Sequence, residues 1–167
     1  MTTTGRRCGP RSGLGGEGRV QVARAEALQV ERDVAVPGGL VVADTTDALK
    51  VCETSQLPAY YLPAADVRTD LLAGSAQRSL CEWKGMASYR TLLVPGSEPV
   101  VDAAWSYASP TPAFAPIRGH LAFYAARLDE CWVGDDLVQP NPGSFYGGWW
   151  TPDVVGPFKG VPGSSGW

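Results

Sequence analysis

Short runs of alternating apolar and polar residues, separated by turn residues, dominate the chain. In residues 28–36 the apolar positions Leu28, Val30, Val34 and Val36 follow the two-residue period of a β-strand. A turn at residues 37–39 leads to apolar runs at 40–43 and 48–53, with a second turn at 44–47 between them. The first part of the chain is therefore predicted to form a three-stranded antiparallel meander.

The rest of the chain shows the same pattern of short strands and turns. Pro63 suits the first position of a single helical turn over residues 64–67. The 20 Gly and 14 Pro residues favour many short strands and turns over long helices, so the predicted fold is mainly β. Further strands are predicted over residues 59–62, 79–83, 87–94, 99–107, 121–124 and 130–133.

Length and composition divide the 167 residues into three parts. Residues 1–18 are Gly-rich and polar and are predicted to be a flexible leader, and residues 19–139 are long enough to form one β domain with a real core. Residues 140–167 form an extension rich in Gly, Pro and aromatic residues. Large rings are unusual in a disordered linker, so the extension is expected to pack on the domain or on a partner subunit.

Charge and hydropathy exclude two classes of partner. The formal net charge of -3 argues against binding to duplex nucleic acid, which needs a basic face. No run of about eighteen apolar residues is present, so no membrane span or membrane partner is expected. Arg6 and Arg7 are not followed by the apolar segment of an export signal, and a cytoplasmic location is predicted.

The four cysteines, Cys8, Cys52, Cys81 and Cys131, do not have the spacing of a zinc site. No C-x-x-C pair occurs, and the chain has a single His, so neither a metal nor another cofactor is predicted. Without a secretory signal, disulfides are not expected either. Cys81 lies close to Lys84 in sequence and is a candidate for an activated thiol.

Aromatic residues gather around one Lys in the middle of the chain. Trp105 and Tyr107 flank Ser106, so both rings should project from the same face of a strand. With tyrosines of neighbouring strands on that face, the rings would wall a small-molecule pocket, unless they are simply core. Two cations would anchor an anionic or carbonyl-bearing ligand. The predicted ligand-binding residues are Tyr61, Arg68, Trp83, Lys84, Tyr89, Trp105 and Tyr107.

Several alternatives stay open beside this ligand-binding module. An enzyme would use Lys84, Cys81 or His120, the last being the only imidazole available for proton transfer. A protein-interaction module would use the aromatic tail, with a second copy of the chain as one such partner. Arg68 lies between two acidic residues, and its structural interpretation is a local ion pair. The Gly-rich residues 13–18 follow no predicted strand and are interpreted as part of the flexible leader, and no P-loop, H-E-x-x-H or G-x-S-x-G motif is present.

Several blocks of sequence resemble the family called domain of unknown function 427, over about residues 41–138. The blocks are Tyr60-Tyr61-Leu62-Pro63, Asp66-Val67-Arg68, Asp70-Leu71-Leu72, Cys81-Glu82-Trp83-Lys84-Gly85, Ala87-Ser88-Tyr89, Asp102-Ala103-Ala104-Trp105-Ser106-Tyr107 and Gly119-His120-Leu121-Ala122-Phe123-Tyr124. The tail from Tyr146 to Gly160 resembles an extension of actinobacterial members, with Val161 in place of an expected Gly.

The resemblance implies an antiparallel fold of the β-tent, or Mss4-like, group, in which two sheets meet at an angle around a ligand site. Relatives in that group often hold zinc through paired cysteines, which this chain lacks, so zinc is not carried over. The family also bears a nucleotidyltransferase-like label. Such chemistry needs acidic magnesium ligands beside a phosphate-cradling loop, and the residues offer no support for it.

Overall fold

The computed structural model describes residues 21–24, 28–32, 39–53, 56–142, 146–156 and 158. In these ranges every strand pairing is antiparallel, and the helices are four short 3-10 segments, so the prediction of a mainly β fold is confirmed. The strands are β1 (Gln21–Arg24), β2 (Leu28–Arg32), β3 (Leu40–Thr45), β4 (Leu49–Cys52), β5 (Ala59–Tyr61), β6 (Leu72–Cys81), β7 (Gly85–Leu92), β8 (Val100–Tyr107), β9 (Leu121–Phe123), β10 (Glu130–Val133), β11 (Asp136–Leu137), β12 (Gln139–Pro140) and β13 (Trp149–Trp150). The 3-10 helices are Ala64–Asp66, Thr69–Leu71, Pro112–Ile117 and Ala125–Arg127.

The predicted N-terminal meander is wrong. β3 pairs with β2 in a sheet of order β11-β10-β2-β3, whereas β4 lies between β1 and β5 in another sheet. The turn between β3 and β4 is held by Thr45, whose Oγ1 accepts from the Asp47 amide at 3.0 Å and donates to Asp66 at 2.7 Å. Alternation of apolar residues identifies a strand and its buried face, but it does not choose the neighbouring strand.

Two backbone hydrogen bonds join the β1-β4-β5 sheet to the β6-β7-β8-β9 sheet. The Leu62 amide donates to the Leu121 carbonyl at 2.7 Å, and the Leu121 amide donates back to Leu62 at 2.9 Å. Side chains along these strands alternate between two cores. The main core includes Val42, Tyr60, Leu62, Leu92, Phe123 and Trp149. The second, here called the aromatic core, consists of Val51, Tyr61, Ala87, Trp105, Tyr107, Phe114, Ile117 and Ala122.

The longest 3-10 helix, Pro112–Ile117, covers the aromatic core with Phe114 and Ile117, which are 1% and 0% exposed. This stretch contains Pro112 and Pro116 and has no strand period. A short 3-10 helix tolerates Pro112 because the first amides of a helix have no internal partner. None of the described helices is long and apolar enough to cross a membrane.

The C-terminal segment packs closely against the domain where the structure describes it. Trp149 is 1% exposed, and its indole Nε1 donates to the Phe123 carbonyl at 2.8 Å. A Cβ built on Gly147 would lie 2.3 Å from the Trp105 ring, and one on Gly148 would lie 2.5 Å from Leu57. Only Gly permits so close an approach of the backbone.

Some predictions concern residues outside the described ranges, namely the leader 1–18, the strand residues 33–36 and the tail rings Phe145 and Trp167. The three-part division of the chain stays a prediction.

Gly147→Ala is expected to destabilise the fold by about 1–3 kcal/mol, because the added methyl overlaps the locked Trp105 ring. Gly74→Ala is the matched control, since its nearest neighbour would be the Arg90 side chain at 3.6 Å. Urea unfolding measures both variants. Equal free energies of unfolding for the two would contradict this account of the packing.

Candidate functional site

The aromatic core is assembled by the register of β7 against β8. Tyr89 lies opposite Trp105, and Ala87 lies opposite Tyr107, so the side chains of these residues share one face of the sheet. Tyr61 joins from β5. Its hydroxyl accepts a hydrogen bond from Trp105 Nε1 at 3.3 Å, and the two rings meet edge to face at 6.2 Å and 84°.

Further ring contacts extend the cluster at both ends. The Tyr61 and Tyr107 ring centroids are 6.3 Å apart, and the Trp105 and Tyr124 ring centroids are 4.6 Å apart. Tyr89 is half-buried, and its hydroxyl lies 2.7 Å from Ser79 Oγ. The structure therefore brings together four of the five predicted aromatic residues.

Trp83 is the ring that the structure does not place in the aromatic core, since it is 57% exposed. β6 ends at Cys81, so Trp83 stands in the turn before β7 rather than on a strand. Thr111 holds that turn by bonding to two of its carbonyls. The Thr111 hydroxyl Oγ1 donates to the Trp83 carbonyl, and the Thr111 backbone amide donates to the Lys84 carbonyl at 3.1 Å. The indole is left facing solvent.

Lys84 turns inward from the same turn and is 7% exposed. Its ammonium forms an ion pair with Glu53, whose side chain is 13% exposed, and lies 5.5 Å from the centroid of the Phe114 ring. The half-buried Cys81, a free thiol, packs against the aromatic core at the other end of the turn. These four residues, Glu53, Cys81, Lys84 and Phe114, are called the Lys84 corner below.

The Lys84 corner acts electrostatically on two tyrosine hydroxyls. Burial is the main cause that raises the pKa of Tyr61 above its ordinary value, and the nearby Glu53 and Cys81 add to it. Burial likewise raises the pKa of Tyr107, with further contributions from Tyr61, Cys81 and Glu53. Both hydroxyls therefore stay protonated at neutral pH, when they are hydrogen-bond donors.

Arg68 lies apart from this group. Its Nε and Nη2 donate to the two carboxylate oxygens of Asp70 at 2.8 and 2.7 Å in an exposed ion pair, and these bonds hold the pKa of Asp70 below its ordinary value. Asp66 instead accepts from Thr45. Within the described residues no side-chain hydrogen bond, ion pair or cation–π contact joins Arg68 to the aromatic core, which favours the local ion pair over a ligand anchor.

The remaining candidates occupy separate places. His120 is half-buried, with Nδ1 3.3 Å from the Arg118 carbonyl, and makes no hydrogen bond to Lys84 or Cys81. Cys131 is a buried free thiol whose pKa burial raises to about 12. Cys52 is disulfide-bonded, so the expectation of unpaired thiols is wrong at this position. No group of three or more His, Cys, Asp or Glu side chains in the described ranges is arranged to hold a metal ion.

The sequence reading missed Glu53 and Phe114. Strand alternation offered a signal for Glu53, because Leu49, Val51 and Glu53 fall on one face and the first two pack in the aromatic core. Phe114 had no such signal, since it lies among prolines in a stretch without strand period.

The fold and this site define a small antiparallel β domain with a buried ion pair at the edge of an aromatic core. Residues 26–134 match the family model described as Domain of unknown function (DUF427), and the chain belongs to that family. The resemblance noted in the sequence is thereby confirmed. A search of curated proteins found no match to the chain.

Glu53→Gln is expected to cost about 3 kcal/mol of stability, because it leaves the buried Lys84 ammonium unpaired. Lys84→Met should cost a similar amount, and the double variant should cost clearly less than the sum of the two. Asp70→Asn, in the exposed pair with Arg68, is the control and should leave stability unchanged. Additive effects in urea unfolding would show that Lys84 and Glu53 do not interact.

Four tyrosines, Tyr60, Tyr61, Tyr107 and Tyr124, are expected to ionise in the folded protein above the ordinary pKa of about 10, mainly because of burial. Folding raises these pKa values, so their contribution to stability is complete below about pH 10 and is lost as the pH rises beyond it. Tyrosinate absorbance measured with and without denaturant tests this. Coincident titration of all six tyrosines in both states would refute it.

Proposed function

We propose that this chain is a small-ligand-binding β domain whose ligand contacts the Lys84 corner. Lys84 is the basic anchor, and Tyr61, Tyr89, Trp105 and Tyr107 form the aromatic wall behind it. Trp83 and Arg68 take no part, because one is exposed and the other is committed to Asp70.

The observation that carries the proposal is the burial of the Lys84–Glu53 ion pair among aromatic rings. Taking two charges out of water costs several kcal/mol per ion by general estimates. Replacing such a pair by apolar residues of similar volume often leaves a protein no less stable. A buried pair is therefore weak evidence for a purely structural role. A cation with fixed position beside an aromatic surface suits recognition of a ligand instead.

The polar groups at the Lys84 corner and on the neighbouring tyrosines indicate the ligand chemistry. The Lys84 ammonium and the protonated hydroxyls of Tyr61 and Tyr107 are donors, so the ligand should present an oxygen acceptor. Glu53 already balances the charge of Lys84. A carbonyl or a single carboxylate is therefore favoured over a multiply charged phosphate.

An enzyme remains the second candidate, and Cys81 is the observation that favours it. This free thiol and Glu53 both influence the pKa values of Tyr61 and Tyr107, so a nucleophile and an ion pair share one corner. His120 lies outside this arrangement. Nucleotidyl transfer receives no support, because the corner contains one carboxylate where magnesium-dependent transfer needs several.

The aromatic tail offers less for a protein-interaction module. Trp149, one of its largest rings, is buried in the domain itself, and Trp150 is 39% exposed. Self-association and a cytoplasmic location stay predictions that follow from the sequence alone.

A thermal-shift screen with small carbonyl compounds and monocarboxylates is expected to find stabilising ligands, because a ligand that binds only the folded state raises its melting temperature. Lys84→Met should abolish the shift by removing the anchor. Trp83→Ala, one residue away and exposed, is the matched control and should keep it. A shift that survives in Lys84→Met, or a screen without any hit, would argue against ligand binding at the corner.

A further inference from the structure

A cleft of about 180 Å³ lies at the opposite end of the aromatic core, between the 3-10 helix Ala125–Arg127 and the C-terminal segment. Its lining includes Tyr124, whose ring packs 4.6 Å from Trp105, and the side chains of Arg127 and Asn141. The backbone of Gly147 and Gly148 forms another wall.

Asn141 lines this cleft and has an unsatisfied polar atom. The residue is 5% exposed, and its side-chain oxygen Oδ1 is buried without any hydrogen-bond partner. The backbone amide of Asn141 donates to the Gly148 carbonyl at 3.2 Å, which fixes the residue in place. Buried polar side-chain atoms in folded proteins nearly always have a partner, so an orphaned acceptor beside a cavity points to a donor that arrives from outside the chain.

Arg127 supplies a fixed positive charge to the same cleft. Its Nη1 donates to the carbonyls of Val101 and Asp102 at 2.7 and 2.9 Å, and its guanidinium carbon lies 4.7 Å from the Tyr124 ring centroid. Within the described residues the guanidinium forms no ion pair, and its Nε and Nη2 make no hydrogen bond. An immobilised guanidinium with free donors is suited to binding a carboxylate.

We propose that this cleft is a second ligand site, for a small carboxylate that also carries a hydroxyl or amino donor. The carboxylate would accept from Arg127, and the donor would satisfy Asn141 Oδ1. The volume is about six times the ~30 Å³ that a water molecule occupies in the liquid, so a small metabolite fits and a nucleotide does not.

The site is built across the boundary of the family match. Tyr124 and Arg127 lie within residues 26–134, whereas Asn141, Gly147 and Gly148 come from the segment that follows. The extension therefore completes a site for which the family domain contributes only one wall. This inference does not depend on the Lys84 corner, since the two sites share no lining residue.

The test uses calorimetric titration of the full chain with glycolate and with acetate, which differ in the one hydroxyl donor. Glycolate is expected to bind about tenfold more tightly than acetate, because only it can satisfy Asn141. Asn141→Leu should remove that preference while leaving the free protein no less stable, since a buried acceptor without a partner is replaced by an apolar group of similar shape. Arg127→Met should weaken both ligands.

Two controls separate this site from other surfaces. Asp70→Asn, in the exposed ion pair with Arg68, lies in neither proposed site and should leave the preference for glycolate intact. Leu137→Ser changes an exposed residue of a neighbouring cleft and should also have no effect. The proposal is overturned if glycolate does not bind, if glycolate and acetate bind equally, if Asn141→Leu keeps the preference, or if a crystal grown with glycolate shows only an ordered water on Asn141.

Discussion

The antiparallel contact between Leu62 and Leu121 is the constraint on which both cores depend. Its two short backbone hydrogen bonds set β5 beside β9, and the strand period then decides the destination of every neighbouring side chain. Tyr60 packs in the main core, while Tyr61 packs in the aromatic core, where it contacts Trp105. A shift of one residue at this contact would exchange the two sets, and the chain would have neither its Tyr61–Trp105 hydrogen bond nor its second core.

The aromatic core is closed differently at its two ends. At one end Lys84 and Glu53 are withdrawn from solvent over Phe114. At the other end the C-terminal segment lies so close to Trp105 that only Gly147 is accommodated there. The rings between them form an apolar body, and the polar side chains at its edge are held in defined positions.

The fold class was readable from the sequence, whereas the connections between strands were not. The alternating strand that ends at Tyr107 was predicted to within one residue, because apolar residues recur on its buried face. β6 was predicted only near its end. It starts at Leu72, but all ten of its residues are half-buried or exposed, so the early part has no apolar period. The partner of β4 was mispredicted because pairing depends on residues far away in the chain, which local alternation does not report.

The sequence by itself determined which rings share a face, since the two-residue period places Trp105 and Tyr107 on one side wherever their strand lies. It also determined family membership through blocks that need no structure to be recognised. Only the tertiary structure decided which cation lies beside the rings, because Lys84 and Arg68 differ in burial and in ion-pair partner rather than in local sequence pattern. Glu53 is 31 residues from Lys84, and Asn141 reaches its cleft only through the packing of the C-terminal segment. Contacts over such separations arise from the fold as a whole, so no local pattern encodes them.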